Sequence, residues 1–444
     1  MKYQTNNPRE LAVRTLMRTS NGSYSNLQIN SVIESTSMSD VDKGLFTTIV
    51  YGVIQHRLTL EYQLAPFIKE PEKTENWVKE LLYSAMYQLQ YLDRVPKRAI
   101  FDESIKIAKS MGHDGTRRFV TGILHQMDRK GLSNPSDIKD PLERLSIQTS
   151  VPQWLVKLVS DQLGEKKAAT IFRSLNRAPK QSVRVNKHKI SKSDLLGQLS
   201  KAGFDPHPSE VASEGLVLEK GQVLHSSFFD DGLVAIQDES AMLPVESMPI
   251  KTDDLILDAC SAPGGKTTQI AANLKEGRVV ALDIHQNKLR NVNHNAQRLG
   301  LSERVETHAL DARKVDEQFD DEFFDHILVD APCTGFGLMR RKPEIRYDKT
   351  MADVNHLAEI QGQILAAVAH KVKPGGTITY STCTIVRQEN QGVIAKFIDA
   401  HPEFEVQPTK TDMDLKTDEN GMLNIYPDDF DSDGFFVCSM VRKS

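Results

Sequence analysis

The stretch "LILDACSAPGGKTTQIAANL", residues 255–274, decides how the chain is read. An apolar strand ends at Asp258, a Pro263-Gly264-Gly265 turn follows, and a helix is expected to begin near Lys266. Glycines let a backbone approach a ligand closely, and a helix N-terminus favours negative charge. Two nucleotide motifs are excluded by spacing. A phosphate-cradling GxxxxGK[ST] loop needs a glycine where Cys260 stands, and GxGxxG is absent. A glycine turn after a first strand, with an acid about twenty residues further on, still fits an adenosine-ribose site. Asp283, which closes "RVVALD", is that acid, set against the plainer reading of a loop-capping aspartate.

Outward from this stretch, apolar strands alternate with helical segments from about residue 250 to the end. That alternation predicts a mostly parallel sheet covered on both faces, with one antiparallel strand, "GFFVCSMVRK", at the close. Four successive strands are expected to end at Asp258, Asp283, Asp311 and Asp330. Ligands of open α/β sheets bind beyond the carboxyl ends of the strands. Asp311 is therefore a candidate for an adenine edge. "DAPCTGFG" (330–337) sets a carboxyl group and the Cys333 thiol three residues apart, with glycines behind that leave the loop either mobile or closely packed. "TITYSTC" ends the next strand at Cys383. If the fourth and fifth strands are neighbours, the two thiols lie close together. A single buried cysteine is usually an inert filler. Two of them, each followed by threonine and flanking a carboxylate, point to chemistry, and either one is a candidate to attack. Cys260 and Cys438 complete the set; no CxxC pair exists, which argues against structural zinc, and no metal is expected.

Upstream the texture differs. Residues 7 to about 130 read as a helical bundle, "NPSDIKDP" (134–141) as a linker, and the segment from 145 to about 250 as a small α+β module. The expected domains are 1–132, 145–248 and 249–444. The net charge of -5 gives no sign of nucleic-acid binding, but its distribution does. Lys166, Lys167, Arg173, Arg177, Lys180, Arg184, Lys187, Lys189 and Lys192 crowd one segment. They form either a path for a phosphate backbone or a solvated helix face and loop. The first ten residues lack the apolar core of a secretory signal, and no apolar run reaches membrane-spanning length, so a cytoplasmic protein is expected.

"DACSAPGGKT", "DAPCTGFG" and "YSTCT" closely resemble the glycine, Asp-Ala-Pro-Cys and Ser-Thr-Cys motifs of the RNA cytosine-5 methyltransferases of the Nol1/Nop2/Sun (Fmu) family. "QDESAMLP" (237–244), "RRKPEIRY" (340–347) and "DGFFVCSM" (433–440) are similar to further family segments, from about residue 145 to the end. The helical region resembles NusB, an RNA-binding fold, and the domain order resembles that of a bacterial subgroup acting on a cytosine of 16S ribosomal RNA.

The resemblance implies a Rossmann-like, S-adenosylmethionine-dependent methyltransferase domain, and a monomer is expected. It implies that Cys260, Ser261, Ala262, Pro263, Gly264, Gly265 and Lys266 form the methionine-side loop. Asp283 would hold the ribose, Asp311 the adenine side, and Asp330 would be the carboxyl group at the base pocket, expected to hold or share a proton. Cys383 matches the nucleophile and Cys333 the cysteine that assists product release. Tyr347 stands where many relatives have tryptophan. Lys266, Arg340 and Arg341 are candidate cations for the thiolate. The competing expectation is a methyltransferase fold retained as a ribosome-assembly RNA-binding module without catalysis.

Overall fold

Residues 5–19 and 25–444 are described in the computed structural model. The chain divides into two units, Met1–Arg177 with Arg341–Asp348, and Ala178–Arg340 with Lys349–Ser444.

The first unit is helical: α1 (Pro8–Thr19), α2 (Ser25–Ser35), α3 (Asp40–Gln55), α4 (Arg57–Leu64), α5 (Asn76–Tyr91), α6 (Lys97–Met111), α7 (Asp114–Lys130), α8 (Pro141–Thr149), α9 (Gln153–Leu163) and α10 (Glu165–Ser174). Apolar residues three and four apart bury one face of each helix. In α5 these are Trp77, Val78, Leu81, Leu82, Ala85 and Met86. Local chemistry sets the ends. Ser39 accepts from the Asp42 amide to start α3, and Asp140 accepts from the Glu143 amide ahead of Pro141 to start α8. The apolar run from 43 to 68, which reads as one helical stretch, is broken at His56, whose φ of -108° and ψ of 20° separate α3 from α4.

Within this unit the segment 341–348 carries its strongest anchor. Arg346 is fully buried. Its guanidinium donates to the carbonyls of Gln55 (3.1 Å), Thr149 (3.0 Å) and Leu175 (3.2 Å), and to Asn176 Oδ1 (3.0 Å). Gln55 and Thr149 are the last residues of α3 and α8, and Leu175 closes α10. Three helix C-termini, each with unpaired carbonyls and partial negative charge, thus share one cation. Tyr347 adds hydrogen bonds from its hydroxyl to the carbonyls of Ile54 and Ser150.

In the second unit, β1 (Gln181–Val185), β2 (Pro206–Pro208), β3 (Gly215–Leu218) and β4 (Val234–Ile236) form an antiparallel sheet in the order β2-β3-β1-β4. It is covered by α11 (Lys192–Lys201), which packs Leu195 and Leu199 against Val183 and Leu216. Two single turns, α12 (Ser227–Asp230) and α13 (Leu243–Glu246), lead on. The larger sheet contains β5 (Leu255–Asp258), β6 (Arg278–Asp283), β7 (Val305–Ala309), β8 (Phe324–Asp330), β9 (Val372–Thr382), β10 (Phe404–Gln407), β11 (Leu423–Ile425) and β12 (Phe435–Arg442). Its order is β10-β12-β9-β8-β5-β6-β7, with β11 paired to β12. Strands β5 to β9 are parallel. One strand, β12, runs against the others, as expected; β9, β10 and β11 each pair antiparallel with it. The helices α14 (Gly265–Asn273), α15 (Gln286–Leu299), α17 (Met351–Ala369) and α18 (Gln391–Ala400) belong to this unit, while the short α16 (Ile345–Asp348) belongs to the first.

The basic cluster is not one stripe. Lys166 to Arg177 lie in the first unit and Lys180 to Lys192 in the second. In the second half Arg184 is buried, while Lys180 bonds the Phe430 carbonyl, the exposed Lys189 those of Asp231 and Arg298, and Lys192 that of Ser213. Lys187 pairs with Glu214.

Arg346→Met leaves several buried carbonyls without a donor, at about 1–3 kcal/mol each. The helical unit is expected to lose about 3 kcal/mol or more, read as a lower urea midpoint in its unfolding transition.

Candidate active site

The sheet order places β5 between β6 and β8, so the chain reverses direction of winding at the β5/β8 boundary. A crevice opens at such a switch point, beyond the strand carboxyl ends. The sequence places the glycine turn at the end of β5 and the Asp-Ala-Pro-Cys loop at the end of β8.

The glycine turn is built as a cradle. The Ser261 amide and hydroxyl both donate to the Leu282 carbonyl (2.8 and 2.9 Å), tying the loop to β6. Gly264 has a φ of +101°, and a Cβ there would lie 3.0 Å from Val292 Cα, so a side chain is excluded on two counts. Beneath the turn, Arg184 donates to the Gly265 carbonyl (2.6 Å), to Thr268 Oγ1 (3.0 Å) and to Gln237 Oε1. Burial lowers its pKa to about 10, which leaves it charged at neutral pH. Sequence reasoning left Arg184 either on a phosphate path or on a solvated face; the structure makes it the brace of the first turn of α14. Thr267 donates to Asp258 Oδ2 (2.7 Å), while Asp258 Oδ1 is buried without a partner. Burial, opposed in part by the Thr267 bond, pushes Asp258 up to about 7. Burial and then Asp258 push the Cys260 thiol well up, so it is a thiol and not a nucleophile.

Asp283 ends β6 and accepts from the His285 amide (2.7 Å), with the exposed Ile284 beside it. Asp311 differs from expectation: β7 ends at Ala309, and Asp311 instead caps the turn 312–317. The hydrogen bond and charge of Arg313 (2.7 Å) hold its carboxyl below the usual range.

Asp330 ends β8 between two donors, Lys266 Nζ at 2.8 Å on Oδ2 and the Ser381 hydroxyl at 2.8 Å on Oδ1. Lys266 thus donates to the same carboxyl group that was expected to hold or share a proton. Lys266 also lies over the Phe435 ring, 4.7 Å from its centroid. Of the three cations expected near the thiols, Lys266 alone is placed at Asp330. Arg340 donates to the carbonyls of Pro427 and Asp431.

The Cys333 and Cys383 sulfurs are 3.3 Å apart and half-buried. The hydrogen bond to Cys383, with burial second, pushes the Cys333 thiol well up. The loop glycine Gly337 is closely packed: its amide donates to the Cys383 carbonyl (2.9 Å), and a Cβ there would lie 2.0 Å from the Gly434 carbonyl oxygen. Sequence reasoning missed Ser381, Gln361 and Glu389. Only Ser381 carried a signal, being the residue that a parallel neighbour of β8 sets beside Asp330.

A parallel sheet with a glycine cradle at its switch point and a carboxylate and two thiols at the next strand ends defines a methyltransferase-type α/β domain. Comparison with known proteins agrees. Residues 246–441 match the family model for the 16S rRNA methyltransferases RsmB/F, residues 6–129 the NusB family, and residues 151–225 the ferredoxin-like domain of the RsmF/B-like methyltransferases. The probable ribosomal RNA small subunit methyltransferase B of Bacillus subtilis is 43% identical over 98% of each chain. The ribosomal RNA small subunit methyltransferase B of Yersinia pestis is 31% identical over 92% of each. The crystal structure of PH0851 shares the fold, with a TM-score of 0.84 over 99% of each chain at 24% identity. The chain belongs to the RsmB/F family of 16S rRNA methyltransferases. Residues 6–129 of the helical unit carry the NusB fold, and the ferredoxin-like match over 151–225 takes in α9, α10, α11 and β1 to β3.

Asp258 supplies a pH test of the cradle. Its folded-state pKa of about 7 exceeds the ordinary 3.8, so the folded protein holds a proton that the unfolded chain has lost. That contribution to stability is complete below pH 4 and disappears as pH rises toward 7. The melting temperature is expected to fall between pH 5 and 7 in the parent protein, and to fall less in Asp258→Asn.

Proposed function

We propose that this protein transfers a methyl group from S-adenosylmethionine to C5 of a cytosine in 16S rRNA, giving 5-methylcytosine through a covalent Cys383–C6 adduct. The observation that carries the reading is the pair of sulfurs 3.3 Å apart, next to strand-end Asp330 and its Lys266 partner. The donor set suits the cofactor: the cradle excludes a side chain at Gly264 and sits at a helix N-terminus, where a carboxylate is favoured. Residues 260–266 would hold the methionine side, Asp283 the ribose and Asp311 the adenine side, with Asp330 facing both cofactor and base. When bound, S-adenosylmethionine supplies the electrophilic methyl group.

The remaining chemistry falls to side chains. C5 of cytosine is a poor nucleophile. Attack of the Cys383 thiolate on C6 makes the ring an enamine, rich in electrons at C5. Negative charge then develops toward N3, and the Lys266 ammonium, oriented by Asp330, meets it. After methyl transfer solvent takes the C5 proton, its electron pair re-forms the C5–C6 double bond, and the C6–sulfur bond breaks with its pair going to sulfur. Cys333, held as a thiol, is placed to donate to the departing Cys383 sulfur. The target base must leave its stack to reach these groups. The NusB-like and ferredoxin-like regions would hold the RNA by shape and phosphate contacts. The domain division 1–132, 145–248 and 249–444, a monomeric state and a cytoplasmic location complete the proposal. No helix among the described residues is long and apolar enough to cross a membrane, in keeping with that location.

On unmethylated 16S rRNA, Cys383→Ala is expected to abolish both methylation and adduct, and Cys333→Ala to build up a covalent protein–RNA band on a denaturing gel. The reverse pattern would exchange the two roles. Bisulfite mapping of 16S rRNA from a strain lacking the protein tests the substrate, with loss of one 5-methylcytosine as the expected result.

A further inference from the structure

A buried carboxyl group outside the reaction just described sits where the two cysteine loops meet. Glu389 has no exposed surface. It lies in the turn Arg387–Glu389, between β9 and α18. Its Oε1 accepts from the Thr334 amide (2.8 Å) and from Gln361 Nε2 of α17 (3.2 Å); its Oε2 accepts from the Thr334 hydroxyl. Thr334 and Thr384 hydroxyls are themselves 3.0 Å apart. Each is the residue after one of the two cysteines, so the threonine pair is the mechanical counterpart of the sulfur pair one residue back. The turn is fixed from below: the Tyr380 hydroxyl donates to the Glu389 carbonyl (2.6 Å), and Asn390 Nδ2 to the Thr384 carbonyl (3.1 Å).

Burial of a carboxyl group is costly unless it is paired with a cation or richly hydrogen-bonded. Among the described residues Glu389 has no ion pair, only neutral donors, and they come from the Cys333 loop and α17. An acceptor-only side chain suits that position, because the Thr334 amide and hydroxyl both need acceptors. Packing alone would be served by an apolar residue of similar volume. A neutral amide retains one acceptor oxygen, so glutamine preserves half the arrangement.

We infer that Glu389 is a positioning residue for the reaction, which sets Cys333 against Cys383 by holding Thr334. This rests on the reading of Cys333 as the group that assists adduct release. Glu389 acts through the Cys333 loop and does not touch the base. Losing it frees Thr334, lets the sulfurs drift apart, and slows breakage of the C6–sulfur bond more than its formation. A misplacement of about 1 Å costs about 100-fold in rate.

The test uses the full chain with unmethylated 16S rRNA, comparing Glu389→Ala, Glu389→Gln and Thr334→Val with Cys333→Ala and the double variant Cys333→Ala/Glu389→Ala. Steady-state turnover, the fraction held as covalent adduct, the S-adenosylmethionine Kd and the melting temperature are measured together. In Glu389→Ala, turnover is expected to drop about 10- to 100-fold. Adduct accumulates and the cofactor Kd stays within about twofold, while Glu389→Gln recovers part of the turnover. Thr334→Val, which keeps Glu389, shows the same accumulation in milder form. The double variant behaves like Cys333→Ala alone, since residues acting as one unit are not additive. Wild-type turnover and adduct level in Glu389→Ala, or additive effects in the double variant, would overturn the inference. So would a loss of cofactor binding equal to the loss of turnover in all three variants. If Cys333→Ala builds no adduct, the release reading fails by itself, and the additivity comparison still decides whether Glu389 works through Cys333.

Discussion

The site depends on one register. Strands β8 and β9 run parallel with Asp330 opposite Ser381. Side chains alternate between the two faces of a sheet, so a slip of one residue would turn Ser381 away from Asp330 and carry Cys383 to the other side. In the observed register the Ser381 hydroxyl reaches Asp330, the strands end level with each other, and the loops beyond them bring Cys333 and Cys383 to 3.3 Å. The register is held by a core that penalises slippage, since Ile327, Val329, Ile378 and Tyr380 are all buried on one side. The sequence separation of 50 residues between the cysteines is bridged by α17, which covers the crossover in the usual manner of parallel strands.

Two buried arginines show a second constraint. Arg184 and Arg346 are each removed from water, and the hydrogen bonds described above run from them to backbone carbonyls and neutral side chains. A planar guanidinium with five donors can satisfy several acceptors at once, which lysine cannot do in the same fixed geometry. Arg184 braces the cofactor-side turn from the ferredoxin-like sheet. Arg346 gathers the ends of three helices of the first unit. Both replace water at places where carbonyls would otherwise be orphaned.

What was legible in the sequence was local. The strand ends at Asp258, Asp283 and Asp330 follow from continuous apolar runs that stop at an acid, and the glycine cradle from its own spacing. The closeness of Cys333 and Cys383 needed only one assumption about neighbouring strands. What was not legible depends on partners distant in the chain. Arg184 looked like one of nine clustered cations, and nothing in its neighbours shows that it turns inward toward Gly265, 81 residues away. Residues 341–348 follow the cysteine loop directly, yet belong to the helical unit. Asp311 misled because "HALDA" reads as strand to its end, whereas the chain leaves the sheet at Ala309 and spends the carboxylate on Arg313.

The two cysteines are chemically alike, and the surroundings must therefore separate them. Cys383 lies one residue beyond β9, a strand held on both sides by β8 and β12. Cys333 lies on a loop whose position rests on the bonds of Thr334 and on the close approach of Gly337 to the Cys383 carbonyl. A nucleophile benefits from a rigid mount, because attack on C6 demands alignment. A group that only lends a proton to the departing sulfur needs to stay protonated and near. Under the proposed reaction, a thiol one residue past a doubly paired strand suits attack, and the loop thiol Cys333, pushed up by its bond to Cys383 and by burial, suits release.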